Sequence, residues 1–379
     1  MFLALKEMRR AKVRFGLLIS AIALLVLLIL AQQAIQNGLI TSFIGAIERQ
    51  SAPVLVYSVD GQKTLQGSLI PPDLQKAVEG VDGVSSSGKI GQGTFTVRVS
   101  GSREDSDAAI IGYERADLGA PQPLSAGRLP NSLDEAVGSA ADFSVGDRVR
   151  VLPPGGVEGG PGGPEVIEVV GLAEKAQLQV TPTLFTKWET YVAAVRTANP
   201  DAGAVLPSVI GLAPVEGVTP EELASRANRA NPQADALTRA EAAELTPGVA
   251  EVRSSFQVIF LLFGMVVPLV TGLFFLIVTL QKSSSLVLLR AVGAPAGRLV
   301  RSLMFQVIVV VGLGLVIGVA LYTPLSQARA GSVDLSFDPQ AVLVWSALLL
   351  SLGVLSALVA ARRVLAIDPI EATKGDGGI

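Results

Sequence analysis

Residues 281–302 read QKSSSLVLLRAVGAPAGRLVRS, between two long apolar runs at residues 256–280 and 303–325. The charges of this stretch are Lys282, Arg290, Arg298 and Arg301, with no acid among them. A short basic loop between two membrane spans faces the cytoplasm by the positive-inside rule. Within it Leu286, Val287, Leu288, Leu289 and Val292 form an apolar cluster that stops at Gly293 and Pro295. That pattern predicts a helix of about two turns, ended by Gly and Pro. Held at the bilayer by a span on either side, such a helix is placed to dock on a cytoplasmic partner. From periodicity alone, a plain basic turn stands beside it as the alternative.

The apolar runs set the class of the protein. Of the 379 residues, 50% are hydrophobic and only 17% are charged, the balance of a chain that is part membrane and part water-soluble. Residues 15–31 are uncharged, and no charge follows until Glu48. The run is long for a signal-peptide core, and Gln32-Gln33-Ala34-Ile35 offers no A-x-A cleavage site, so an uncleaved span is expected. Three further spans follow, at residues 256–280, 303–325 and 341–361, each uncharged. The shortest is about 30 Å long as a helix, enough to cross the hydrocarbon core. Pro268 is expected to kink the second span. Gly314 and Gly318 form a G-x-x-x-G on the third, a packing face that serves either within the chain or between two copies.

Charge distinguishes the two sides of the bilayer. Net charge is −3, which makes no case for nucleic acid. Residues 1–14 are basic, with Phe2, Leu5 and Met8 spaced along one side, and are expected to lie as an amphipathic helix on the inner leaflet. Residues 48–253 carry 17 Lys/Arg against 27 Asp/Glu, a net of −10. Arg362 and Arg363 directly follow the last span, which places the carboxy terminus with the amino terminus in the cytoplasm.

The acidic segment reads as an α+β domain. Strand-like alternation marks residues 54–60, 94–100, 147–152 and 165–171. Between the last two lies PPGGVEGGPGGP, residues 153–164, a hairpin loop rather than a phosphate cradle, because no Lys-Ser/Thr follows it. Helices are expected from Pro72 through Val78, over residues 186–198 and from Thr219-Pro220-Glu221-Glu222 to Ala230, the last opened by a capping box. Thr238 with Glu241 makes a second box. Asp134, Glu135, Glu221 and Glu222 are expected at helix starts or turns, as solvated capping carboxylates rather than acid–base catalysts.

What is missing is equally informative. The chain holds no Cys and no His, so disulfides, zinc sites of the usual donors, thiol nucleophiles and a His base are excluded. No span carries Asp, Glu, Lys or Arg. Such residues cost at least about 2.5 kcal/mol in the bilayer and mark proton or ion pathways. No G-x-x-x-x-G-K-[ST] is present, so the chain has no P-loop for ATP. Energised work would need a separate ATPase, and no cofactor is called for.

Leu289-Arg290-Ala291-Val292-Gly293-Ala294 resembles the "LRALGA" loop of bacterial ABC permeases of the MacB/FtsX/LolC superfamily, including DevC-type exporters. The tail Asp368-Pro369-Ile370-Glu371-Ala372 is similar to that superfamily's "DP.EAL". Residues 134–149, with Glu135-Ala136-Val137 and Val145-Gly146-Asp147, resemble its extracytoplasmic domains. The superfamily's basic-acidic pair before the loop is replaced here by Ser284 and Ser285. The resemblance implies a coupling helix built on Leu286, Leu289, Arg290, Val292, Gly293 and Ala294, docked on a cytoplasmic ABC ATPase subunit, in a homodimer within the lipid bilayer of a bacterial cell membrane. It implies four transmembrane helices in a 1+3 arrangement with a large inserted α+β domain. The expected order is amphipathic helix 1–14, first span and extension 15–47, extracytoplasmic domain 48–253, second span 254–280, coupling loop 281–302, third span 303–325, short outer loop 326–340, fourth span 341–361 and cytoplasmic tail 362–379. The implied function is ATP-driven export or extraction of a hydrophobic or amphipathic substrate, with a non-transporting, FtsX-like relay to a cell-wall hydrolase as the alternative.

Overall fold

A computed structural model describes residues 11–153, 166–281, 296–326, 329–330, 333–335 and 337–365. In chain order the elements are α1 (Lys12–Arg49), β1 (Val54–Ser58), α2 (Pro72–Glu79), β2 (Val84–Val99), β3 (Ser106–Tyr113), α3 (Ala116–Gly119), β4 (Ala126–Gly127), β5 (Glu135–Ser139), β6 (Arg148–Val151) and β7 (Val166–Ala173). They continue with β8 (Thr183–Lys187), α4 (Trp188–Ala198), β9 (Val209–Pro214), α5 (Pro220–Ala230), β10 (Ala234–Thr238), α6 (Arg239–Glu244), α7 (Val249–Gln281), α8 (Ala296–Leu325), β11 (Arg329–Ala330), β12 (Val333–Asp334) and α9 (Pro339–Leu365). The chain divides into a helical unit, residues 1–37, 254–328 and 335–379, and an α+β unit, residues 38–253 and 329–334.

Three described helices are long and apolar enough to cross a membrane: Lys12–Arg49, Val249–Val270 and Met304–Leu325. Pro339–Leu355 is a shorter apolar helix. In the helical unit α1 buries Phe15, Leu18, Ile22, Val26, Ile29 and Leu30 against Val307, Val310 and Val311 of α8, residues spaced three and four apart as one helix face requires. Its other side leaves Val13, Leu17, Leu24 and Leu28 exposed. Two opposed apolar faces suit a helix with protein on one side and lipid on the other. The helix α7 runs through Pro268 without interruption. Proline there removes one ladder N–H from the helix interior.

The α+β unit is built on one long strand. The 16 residues of β2 serve three neighbours: β9 along Val84–Ile90, β3 along Ile90–Val97, and β6 along Val97–Val99. From β2 the pairing runs through β3, β8, β5, β7 and β6 and returns to β2, so six strands close a ring. β3 pairs β8 and β5 pairs β7 in parallel, and the other pairings are antiparallel. Closure removes two exposed edges. Phe95, Val97, Ile110, Val149, Val151, Ile167, Val169 and Leu184 fill one core of this unit, with Tyr191 and Ala194 of α4. The remaining strands extend the sheet as β10-β1-β9-β2. The face with Val54 and Val56 packs on α2 and α5. The opposite face, with Leu55 and Tyr57, packs with Ile44 and Ile47 of α1 and Ala242 and Ala243 of α6.

Several expectations need correction. Glu135 opens strand β5 rather than a helix or turn, because Ala136 alternates inward into a sheet whose neighbours are distant in sequence. The helix expected over residues 186–198 begins only at Trp188, since Thr186 and Lys187 complete β8. At Thr219 one half of a capping box forms: its Oγ1 accepts from Glu222 N–H at 3.2 Å. Both halves form at Thr238 and Glu241. β6 and β7 pair antiparallel, as a hairpin requires, while residues 154–165 between them lie outside the described residues.

Candidate functional site

The coupling-loop residues Leu286, Leu289, Arg290, Val292, Gly293 and Ala294 lie outside the described residues. The ends that frame them do not: α7 finishes at Gln281 and α8 begins at Ala296.

Gly314 and Gly318 have a resolved partner. A Cβ on Gly314 would lie 2.6 Å from Ile22 Cγ2, and one on Gly318 would lie 2.6 Å from Val26 Cβ and 2.8 Å from the Ala23 carbonyl oxygen. Both glycines therefore let α8 approach the backbone of α1 within one chain, the close crossing that small-x-x-x-small faces provide.

At the other end of the same bundle a polar cluster joins the helices. Trp345 Nε1 donates to Gln33 Oε1 at 3.3 Å, and its ring packs on Phe260 with centroids 5.1 Å apart. Gln33 Nε2 donates to Asn37 Oδ1 at 2.9 Å, and Asn37 Nδ2 donates to Asp338 Oδ2 at 3.2 Å. Asp338 also caps α9, accepting from Gln340 and Ala341 N–H at 2.9 and 3.0 Å. Tyr322 packs on Phe337 at 5.7 Å. One interhelical network thus draws on α1, α7 and α9. Sequence reasoning missed it. The signal was there in Gln33, Gln36 and Asn37, spaced three and four apart beyond the apolar run, and in Asp338-Pro339 at a helix start.

The α+β unit offers structural rather than catalytic chemistry. Glu135 accepts two hydrogen bonds from the Arg128 guanidinium, at 2.6 and 2.7 Å, and further bonds from Asn131 and Ser132 N–H. The guanidinium, then the backbone donors, hold its carboxyl well below the usual carboxylate range. Such a group stays ionised and is no general acid. Glu222 pairs with Arg226 one turn along α5 at 2.7 Å. Burial pushes the Tyr113 and Tyr191 hydroxyls up to about 12, outside the range useful for proton transfer near neutrality. Among the described residues no group of three or more Asp or Glu is placed to hold a metal ion. A cavity of about 550 Å³ between the end of α1, α6 and the starts of α5 and α7 is lined by Ile44, Glu48, Glu221, Arg239 and Glu244. Its guanidiniums are engaged: Arg239 donates to the Gln50 carbonyl at 2.6 Å and Arg253 pairs with Glu244 at 2.9 Å.

The boundaries between the two units, at residues 37/38 and 253/254, fall inside α1 and α7. α1 and α7 are each a single helix through that boundary.

Residues 257–369 match the family "FtsX-like permease C-terminal". An uncharacterised ABC transporter permease of Mycobacterium tuberculosis is 22% identical over 379 residues, 99% of each chain. A permease of Staphylococcus epidermidis named for hemin transport, HrtB, is 26% identical over 110 residues, 29% of this chain and 31% of that protein. The match thus spans about a third of HrtB. The α+β unit is similar to two solved domains. The periplasmic region of MacB from Actinobacillus actinomycetemcomitans has a TM-score of 0.35 at 11% identity, covering 51% of this chain and 92% of that one. The extracellular domain of the transporter YknZ from Gram-positive bacteria has a TM-score of 0.32 at 13% identity, covering 49% and 99%. Likenesses this weak add nothing further. The C-terminal segment thus matches the FtsX-like permease family, and along its whole length the chain is similar to an ABC transporter permease.

Proposed function

We propose that this chain is the transmitting subunit of an ATP-driven complex in a bacterial cell membrane. Two copies pair in the bilayer with two cytoplasmic ATPase subunits, both termini lie in the cytoplasm, and residues 48–253 face outward. Four helices cross the bilayer in a 1+3 arrangement. Closure of the ATPases on ATP moves the loop helix at Leu286–Ala294. α1 and α7 carry that movement to the α+β unit. The observation that carries this reading is the unbroken course of α1, Lys12–Arg49, and of α7, Val249–Gln281, from membrane-type sequence into the sequence of the α+β unit. The substrate class is hydrophobic or amphipathic: a lipid, lipoprotein, peptide or small toxic amphiphile. The relative named for hemin transport falls within that class. Spans without Asp, Glu, Lys or Arg support a substrate handled outside the bilayer rather than through a polar pore. The FtsX-like family match supports a second reading, a relay that transports nothing and acts on a cell-wall hydrolase.

The test is ATP hydrolysis by the reconstituted complex, wild type against Gly293→Asp. Loss of assembly, or loss of substrate-stimulated hydrolysis, is expected in a permease that still folds. Unchanged assembly and stimulation would overturn the coupling assignment. Stimulation by an amphiphile favours transport, and stimulation only by a hydrolase or its adaptor favours the relay.

A further inference from the structure

Helix α1 is gripped by a loop at residues 42–46, inside the α+β unit. The Ser42 carbonyl accepts from Val180 N–H at 2.8 Å, and the Phe43 carbonyl accepts from Gln179 N–H at 2.9 Å. Ala46 N–H donates to the Gln177 carbonyl at 2.8 Å. A regular α-helix joins the N–H of residue 46 to the carbonyl of residue 42. Here each member of that pair has a partner in the loop. The helix admits a foreign backbone at this point because of Gly45. A Cβ there would lie 2.2 Å from the Lys175 carbonyl oxygen and 2.9 Å from its carbon.

The loop is built to stay in place. Ala176 and Leu178 are buried in one core with Ile44 and Ile47 of α1. The buried Gln177 side chain donates to Asp142 Oδ2 at 2.8 Å, and Ser139 Oγ donates to the same oxygen at 2.6 Å. Leu178 N–H donates to Thr183 Oγ1 at 2.9 Å. Ser139 ends β5 and Thr183 begins β8, so the loop is anchored on two strands of the closed ring. Lys175, Gln179 and Val180 hold φ of 55°, 52° and 61°, left-handed values that side-chain-bearing residues rarely adopt and a β-branched valine least of all. Such strain persists only where the surroundings over-determine it.

We infer that Lys175–Val180 is the joint through which α1 drives the strand ring. Packed side chains alone would let a helix slip or rotate. Three backbone bonds at fixed positions do not, so displacement of α1 passes through Gln177 and Asp142 to β5 and β8. Gly45 and Gln177 are the positioning residues. The inference rests on the proposed ATP-driven function, and its test separates the two.

The experiment is hydrogen exchange on the full-length permease in nanodiscs with its ATPase, with and without ATP. Because the chain has no Cys and no His, labels for a parallel distance measurement can be introduced without background. In the wild type, the amides of Ala46, Gln179 and Val180 are expected to exchange slowly, and ATP is expected to alter exchange in the α+β unit. In Gly45→Val those three amides are expected to exchange at least about 100-fold faster. Basal ATPase activity stays within about twofold, and the ATP-dependent change is lost at least about tenfold. Gln177→Ala removes only the anchor on Asp142 and is expected to weaken the response at least about threefold. Val180→Gly, which adopts the same φ without strain, is expected to keep both protection and response. A wild-type response in Gly45→Val with its three amides freely exchanging overturns the joint, and so does a wild-type response in Gln177→Ala should Gly45→Val not fold. A wild type that shows no response to ATP overturns the proposed function instead, before any substitution is compared.

Discussion

Missing methyl groups at Gly314 and Gly318 set how closely α1 and α8 cross. At Gly318 an added Cβ would meet Val26 Cβ at 2.6 Å and the Ala23 carbonyl at 2.8 Å, and backbone cannot yield as a side-chain tip can. Gly318→Ala is therefore expected to destabilise the helical unit by about 1–3 kcal/mol, the usual cost of overpacking, read as a lower denaturation midpoint in detergent. The G-x-x-x-G was plain in the sequence, but its partner was not, since spacing says which face is small and never what lies against it. Glu135 teaches the converse. Its sequence neighbours suggested a turn, and the contacts that define it come from Arg128 and the backbone of Asn131 and Ser132. Its pKa is depressed on folding, so its contribution to stability is present above the unfolded carboxylate value, about 4.3, and is lost as pH falls through the lower folded value. Glu135→Gln is expected to lower the melting temperature at neutral pH and to leave the acid limb of the melting profile shallower than in the wild type.

Elements with local causes were legible; elements with distant ones were not. Thr238 and Glu241 announce α6 within four residues, and the reciprocal bonds form as expected, at 2.9 Å from Thr238 N–H to Glu241 Oε2 and 3.3 Å from Glu241 N–H to Thr238 Oγ1. Thr238→Ala is expected to cost about 1 kcal/mol, measured by denaturant unfolding of the α+β unit. The strands β3, β5, β8, β9 and β10 escaped notice because they are buried on both faces. Val209–Leu212 are all buried, and a continuous apolar run carries no period of two. The contacts between helices of the bundle are likewise tertiary. Trp345→Phe keeps a ring against Phe260 but removes the donor to Gln33, so a modest loss of about 0.5–1 kcal/mol is expected by the same detergent unfolding assay.

The chain divides into two compact units, and its unfolding should show it. Two calorimetric transitions are expected rather than one, with Gly318→Ala moving one and Thr238→Ala moving the other. A single transition shifted by both substitutions would mean that the units fold as one. By itself the sequence determined the membrane class, the α+β character of the insert, the caps at Thr219 and Thr238, and the likeness to ABC permeases, because hydrophobic runs, cap residues and short motifs act over one or two helical turns. It also excluded thiol, zinc and His-based chemistry, since the necessary residues are absent. Only the tertiary structure decided that six strands close on β2, that Gly314 and Gly318 face α1 of the same chain, that Gln33, Asn37, Asp338 and Trp345 meet, and that the loop after β7 takes hold of the backbone of α1. Each of these depends on groups tens to hundreds of residues apart, whose meeting is set by the packing of whole elements and by the need of buried polar groups for partners.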